Sequence, residues 1–101
     1  MPSYRLELEV GVLVPGHAPD EVMAAAVTSV GENYHVDGTD ITIAAGTPRI
    51  RVRFTVPAVQ DAVEDALARD ASLVARDAVA DVAQPGRMWV LRRERGRWLP
   101  V

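Results

Sequence analysis

Apolar and polar positions alternate from Tyr4 to Val14, with Tyr4, Leu6, Leu8, Val10, Val12 and Val14 in one register and Arg5, Glu7 and Glu9 in the other. A period of two is a strand signal, because successive side chains leave a strand on opposite faces. Pro15-Gly16 then breaks the pattern. From about Pro19 the apolar spacing becomes helical, with Val22, Met23, Ala26, Val27 and Val30 as the stripe and Gly31 as the stop. Asp20 and Glu21 suit the positive end of that helix.

Asp37-Gly38 reads as a turn, and Asp40 to Ala44 as a short strand with Ile41 and Ile43 inward. Gly46-Thr47-Pro48 turns the chain into a second alternating strand, roughly 49–56, in which Arg49, Arg51 and Arg53 share a face. Pro57 ends it and opens a second helix, with Val59, Val63, Ala66 and Leu67 at helical spacing. Asp70 and Ser72 resemble a local cap, so the helix is expected to end near Arg69, leaving Asp77 to Ala83 as a strand; a helix continuing through 70–83 is the alternative. Pro85-Gly86 predicts a turn, Met88 to Arg93 a strand, Glu94-Arg95-Gly96 a tight turn and Arg97 to Val101 its partner strand.

The order strand, helix, strand, strand, helix, strand, with a C-terminal hairpin added, predicts a single α+β domain over residues 1–101. Its expected fold is a ferredoxin-like (βαββαβ) antiparallel sheet with two helices on one face. In that arrangement the first and third strands are antiparallel neighbours. Glu7 and Glu9 then lie across from or diagonal to Arg51 and Arg53.

Charge refines this picture. The net charge of −3 conceals segregation: residues 1–48 carry −6, 49–56 carry +3, 57–83 carry −4 and 84–101 carry +4. All eleven cations are arginine, a bias that fits a GC-rich bacterial coding sequence, and each offers a planar fork suited to carboxylate or phosphate. The chain has no cysteine, which excludes thiolate chemistry and disulfides. No apolar run approaches the roughly 18 residues of a membrane span, and the N-terminus has no leader pattern, so a cytoplasmic protein without membrane contact is expected.

Candidate chemistry is sparse. The candidate binding residues are Arg49, Arg51 and Arg53 on the third strand, and Arg92, Arg93, Arg95 and Arg97 with Trp89 and Trp98 in the C-terminal segment. Against an anion track stand Glu7 and Glu9 and the acidic pI near 5.2. His35 and Asp37, two apart, would share a strand face and could pair as a base and its orienter; a turn-stabilising role is the simpler reading. Two distant histidines and scattered carboxylates form no metal-ligand spacing, and no phosphate-loop motif or nucleophile elbow occurs. We therefore expect no cofactor, no metal and no catalytic constellation. The expected role is a non-catalytic interaction or assembly domain, self-associating or binding a protein partner through the open sheet face or the C-terminal hairpin. Binding of nucleic acid or an anionic ligand through the arginines is the alternative, and a cofactor-free small-molecule enzyme ranks below both.

Overall fold

The computed structural model describes all residues, 1–101. Five strands and two helices follow in the order β1 (Ser3–Leu13), α1 (Asp20–Gly31), β2 (His35–Ala44), β3 (Thr47–Thr55), α2 (Asp61–Ala80), β4 (Ala83–Glu94) and β5 (Arg97–Pro100). They form a mixed α+β architecture with one antiparallel sheet, ordered β2-β3-β1-β4-β5.

Strand alternation sets the layers. Tyr4, Leu6, Leu8 and Val10 of β1, Ile50, Val52 and Phe54 of β3, and Val90 of β4 are buried. They join one core with Val22, Ala26 and Val30 of α1 and Ala68, Ala71, Ala75 and Val79 of α2. Each fully buried Val, Leu or Phe contributes about 1.5–3 kcal/mol, which makes this layer the dominant source of stability. Tyr4 and Tyr34 pack on Phe54 with ring centroids 6.2 and 6.1 Å away. The opposite face of the sheet carries the odd-numbered β1 side chains and no helix. The first and third strands are antiparallel neighbours, with Glu7 opposite Arg51 and Glu9 opposite Arg49.

Several expectations are corrected. α2 does not end near Arg69 but runs unbroken to Ala80. Ser72 is fully buried within it and donates its hydroxyl back to the Ala68 carbonyl at 2.8 Å, so it caps nothing. Ala71, Ala75 and Val79 extend the buried stripe through the stretch expected to change structure. Val59 and Val63, expected in that stripe, are exposed. Pro85-Gly86 is not a turn but lies inside β4, where pairing with β1 shifts twice, around Val10. There β4 has no outer neighbour, because β5 reaches back only to Leu91, so the missing Pro85 N–H costs no ladder bond to β5. Gly86 is needed for closeness: a Cβ there would sit 3.0 Å from the Cβ of Glu9. These shifts also end the β1 alternation, leaving Val12 exposed instead of in the core.

Asp37-Gly38 is likewise no turn. Asp37 is the extra residue of a bulge inside β2, between the pairs Val36–Phe54 and Gly38–Arg53. The hairpin reverses instead at Ala45-Gly46, with φ of 52° and 80°, and the second hairpin at Arg95-Gly96, with φ of 50° and 79°. Positive φ at both central residues is the two-residue geometry that matches strand twist. Ile41 and Ile43 do not point into the core: they project past the helices and are 63% and 71% exposed.

Candidate functional site

The open face is a lattice of arginines, carboxylates and two indoles. β1 supplies Arg5, Glu7 and Glu9, β3 supplies Arg49, Arg51 and Arg53, and β4 places Trp89 opposite Glu7 and Leu91 opposite Arg5. β5 adds Trp98 opposite Arg93. The lattice has two sectors. In the first, Glu7 is buried by its partners, Arg5 at 2.8 Å and Arg49 at 3.3 Å. The Arg49 guanidinium also lies over Trp89, 4.1 Å from the ring centroid, with Arg87 5.1 Å from the same ring.

The second sector centres on Trp98. Arg5, Arg53 and Arg93 hold their guanidinium carbons 4.7, 5.4 and 5.3 Å from its ring. Arg5 and Arg53 are also direct cross-strand partners, a like-charge pairing that sheets ordinarily avoid. Arg53 meets a single carboxylate, Asp37, at 3.4 Å. Arg51 is fully engaged by Asp40 through Nε at 2.6 Å and Nη2 at 2.7 Å. That bidentate bond holds the Asp40 carboxyl below its usual range and raises Arg51. Arg5, Arg51, Arg53, Trp98, Asp40 and Gly38 line a concavity of about 240 Å³.

Arg92 belongs to the other face. It sits beside α2, with Nη2 2.8 Å from Glu64, Nη1 3.1 Å from Asp65 and Nε 2.9 Å from Glu94. Nη1 also donates to the Tyr4 hydroxyl at 2.5 Å, and that hydroxyl donates to Asp65 at 2.5 Å. Burial and then the bond to Asp65 push the Tyr4 phenol well above its ordinary range. Glu64 is held below its usual range, first by the Val59 backbone N–H at 2.7 Å and then by Arg92. This group ties β1, α2 and β4 together and surrounds Arg92 with carboxylates.

The predicted binding residues are thus divided. Arg49, Arg51, Arg53, Trp89, Trp98 and Arg93 share the open face, Arg92 is enclosed on the helical face, and Arg95 and Arg97 lie at the end of the β4–β5 hairpin. His35 is exposed at the start of β2, while Asp37 turns to Arg53, so the two are not a pair. No group of three or more His, Asp or Glu side chains converges as a metal site would require. No helix is long and apolar enough to cross a membrane.

Two features were missed at the level of sequence. Asp40 completes the Arg51 pair, and its register follows from counting back from the Ala45-Gly46 turn, which sets Ala44 against Thr47 and Asp40 against Arg51. The same count sets Ile41 against Ile50 at the edge of the sheet. There, Ile41, Pro48, Ile50, Val10, Leu13 and Pro19 surround an apolar concavity of about 250 Å³. Comparisons with protein-family models, curated proteins and solved structures found no match.

Proposed function

We propose that this chain is a non-catalytic, self-associating interaction domain built on a ferredoxin-like sheet, and that it assembles as a homodimer through the outer edge of β2. The order of the first four strands and the packing of both helices on one face support the fold reading, with β5 as an extension beside β4.

The observation that carries the assembly reading is the β2 edge. It is ten residues long and contains no Pro or Arg, whereas the opposite edge, β5, has four residues and ends at Pro100. Natural sheets blunt such edges, and β2 carries only its bulge at Asp37 and two carboxylates, Asp37 and Asp40, each paired to an arginine of β3. The two-residue turn makes Ala44–Thr47 the closing hydrogen-bonded pair of the hairpin. By alternation Thr42 and Asp40 bond to β3, while Ile41 and Ile43 direct their N–H and C=O groups outward. A two-fold axis at Thr42 pairs Ile41 of each copy with Ile43 of the other, in a hydrogen-bonded register, with both side chains on one face. The edge is therefore self-complementary, as an isologous contact requires. Its one charge in this stretch, Asp40, is neutralised within its own chain by Arg51, so two like edges meet without an unpaired charge.

Light scattering coupled to size exclusion should give twice the chain mass for the wild type, and the chain mass for Ile43→Lys. Ile43 is exposed, so the substitution leaves the core intact. A wild type that stays monomeric at high concentration, or a variant that dimerises as the wild type does, would overturn the reading.

A further inference from the structure

The Trp98 sector of the open face inverts the charge balance found around Arg92. Arg92 has four carboxylates within reach, and Glu7 alone takes two cations. Around Trp98 the balance reverses. Arg5 and Arg53 oppose each other across β1 and β3, and Arg93 closes on the same ring from β4. Arg5 spends one nitrogen on Glu7, and its Nε, like those of Arg49 and Arg92, is buried without a hydrogen-bond partner. Arg53 has only the 3.4 Å contact to Asp37. Asp40 enters the concavity bonded twice to Arg51, and its charge also acts on Arg5. Folding has thus set two under-neutralised guanidiniums side by side, over an indole that fixes them, at the mouth of a 240 Å³ concavity.

We propose that this concavity is a binding site for a small phosphate-class dianion, inorganic phosphate or a phosphate monoester, held between Arg5 and Arg53. The chemistry matches on three counts. A dianion replaces the like-charge opposition with attraction to both partners. Guanidinium forks meet tetrahedral oxyanions with paired N–H donors. Trp98, with cations around its ring, serves as the wall that orients them and not as a free stacking surface. That last point favours a small anion over a nucleic-acid strand, which would need the ring face for a base.

The concavity shares Gly38 and Asp40 with β2, but its donors Arg5 and Arg53 lie on β1 and β3, away from Ile41 and Ile43, so substitutions separate the two. Inorganic phosphate and glycerol phosphate are titrated against the protein at constant ionic strength in chloride, read by tryptophan fluorescence and by titration calorimetry. The expected result is saturable one-to-one binding, weakened about tenfold or more in Arg53→Gln, the loss expected for one charged donor. Arg95→Gln, a cation of the hairpin turn away from the concavity, should bind as the wild type does. Trp98→Phe should abolish the fluorescence change while Trp89 remains. All variants keep the wild-type mass in solution, whatever that mass is. The proposal is overturned if Arg53→Gln binds as tightly as the wild type, if Arg95→Gln loses as much as Arg53→Gln, or if a single-stranded RNA binds where neither phosphate probe does.

Discussion

Arg92 and Arg53 sit on opposite faces of one sheet, carry the same charge and lie near an aromatic ring, yet their surroundings are inverted. Arg92 is 14% exposed, with Asp61, Glu64, Asp65 and Glu94 around it and the Tyr4 hydroxyl in the same network. Arg53 is 44% exposed, faces Arg5 directly and meets one carboxylate, Asp37, at 3.4 Å. An arginine with surplus anions acts as a clasp, because its removal leaves buried acceptors with no cation. An arginine with surplus cations is locally unfavourable in the free protein, and only an added anion relieves it. The same residue type thus stabilises on one face and is held in readiness on the other.

Breaking the clasp should do the most damage. Arg92→Met keeps much of the side-chain volume but strands Glu64 and Asp65 beside the Tyr4 hydroxyl. Breaking one side of a largely buried ion pair costs about 3 kcal/mol. For a domain of this size that lowers the melting temperature by on the order of 10–20 °C. Adding Glu64→Gln to the same chain should recover part of the loss, since the stranded charge is then gone. Thermal unfolding followed by circular dichroism checks both. An Arg92→Met protein as stable as the wild type would mean that the contacts are incidental.

The clasp also sets a pH window. Glu64 titrates below its ordinary value of 4.5 in the folded chain, so its contribution is present above that value and fades as pH falls through the lowered one. Tyr4 has the opposite sign. Its phenol titrates above its ordinary value of 10.0 when folded, so its contribution is complete below pH 10.0 and is lost as pH rises past it. Denaturant midpoints should therefore decline on both the acid and the alkaline side. Glu64→Gln should flatten the acid limb and Tyr4→Phe the alkaline one, each leaving the other limb unchanged. If either variant moves both limbs, the two groups do not titrate as described.

The contrast also explains what was legible in the sequence. Alternation in β1 and β3 was readable because each strand is half buried, and the opposite charges of Glu7, Glu9 and the arginines pointed to their pairing. What failed was local punctuation overruled by tertiary packing. Asp70 and Ser72 look like a cap, but the Ala71, Ala75 and Val79 stripe carries α2 onward. Pro85-Gly86 looks like a turn, but β1 draws it into a bulge. Arg92 and Arg93 are neighbours in sequence and indistinguishable by charge, yet one faces α2 and the other Trp98. Only the β4 register separates them. The clasp was illegible for a related reason: its carboxylates come from a helix surface that reads as plain solvated acid.

The smallest effect is the sharpest test of the comparison, because its sign is opposite. Arg53→Gln in the free protein removes a direct cross-strand repulsion worth about 0.2–1 kcal/mol. It also gives up a stacked contact to Trp98 worth about 0.5–1 kcal/mol at an exposed site. The contact to Asp37 at 3.4 Å adds little at this exposure. The terms nearly cancel at physiological salt, so salt decides the outcome. Repulsion among Arg5, Arg53 and Arg93 is felt most at low ionic strength, where the Debye length exceeds the spacing of the group. Arg53→Gln should therefore be slightly more stable than the wild type at low salt, by about 0.5 kcal/mol, and lose that advantage as salt rises. Phosphate should reverse the order, because it stabilises most the chain that retains both guanidiniums. A substitution that destabilises at every salt concentration would place Arg53 with Arg92, as a clasp, and remove the distinction between the two faces.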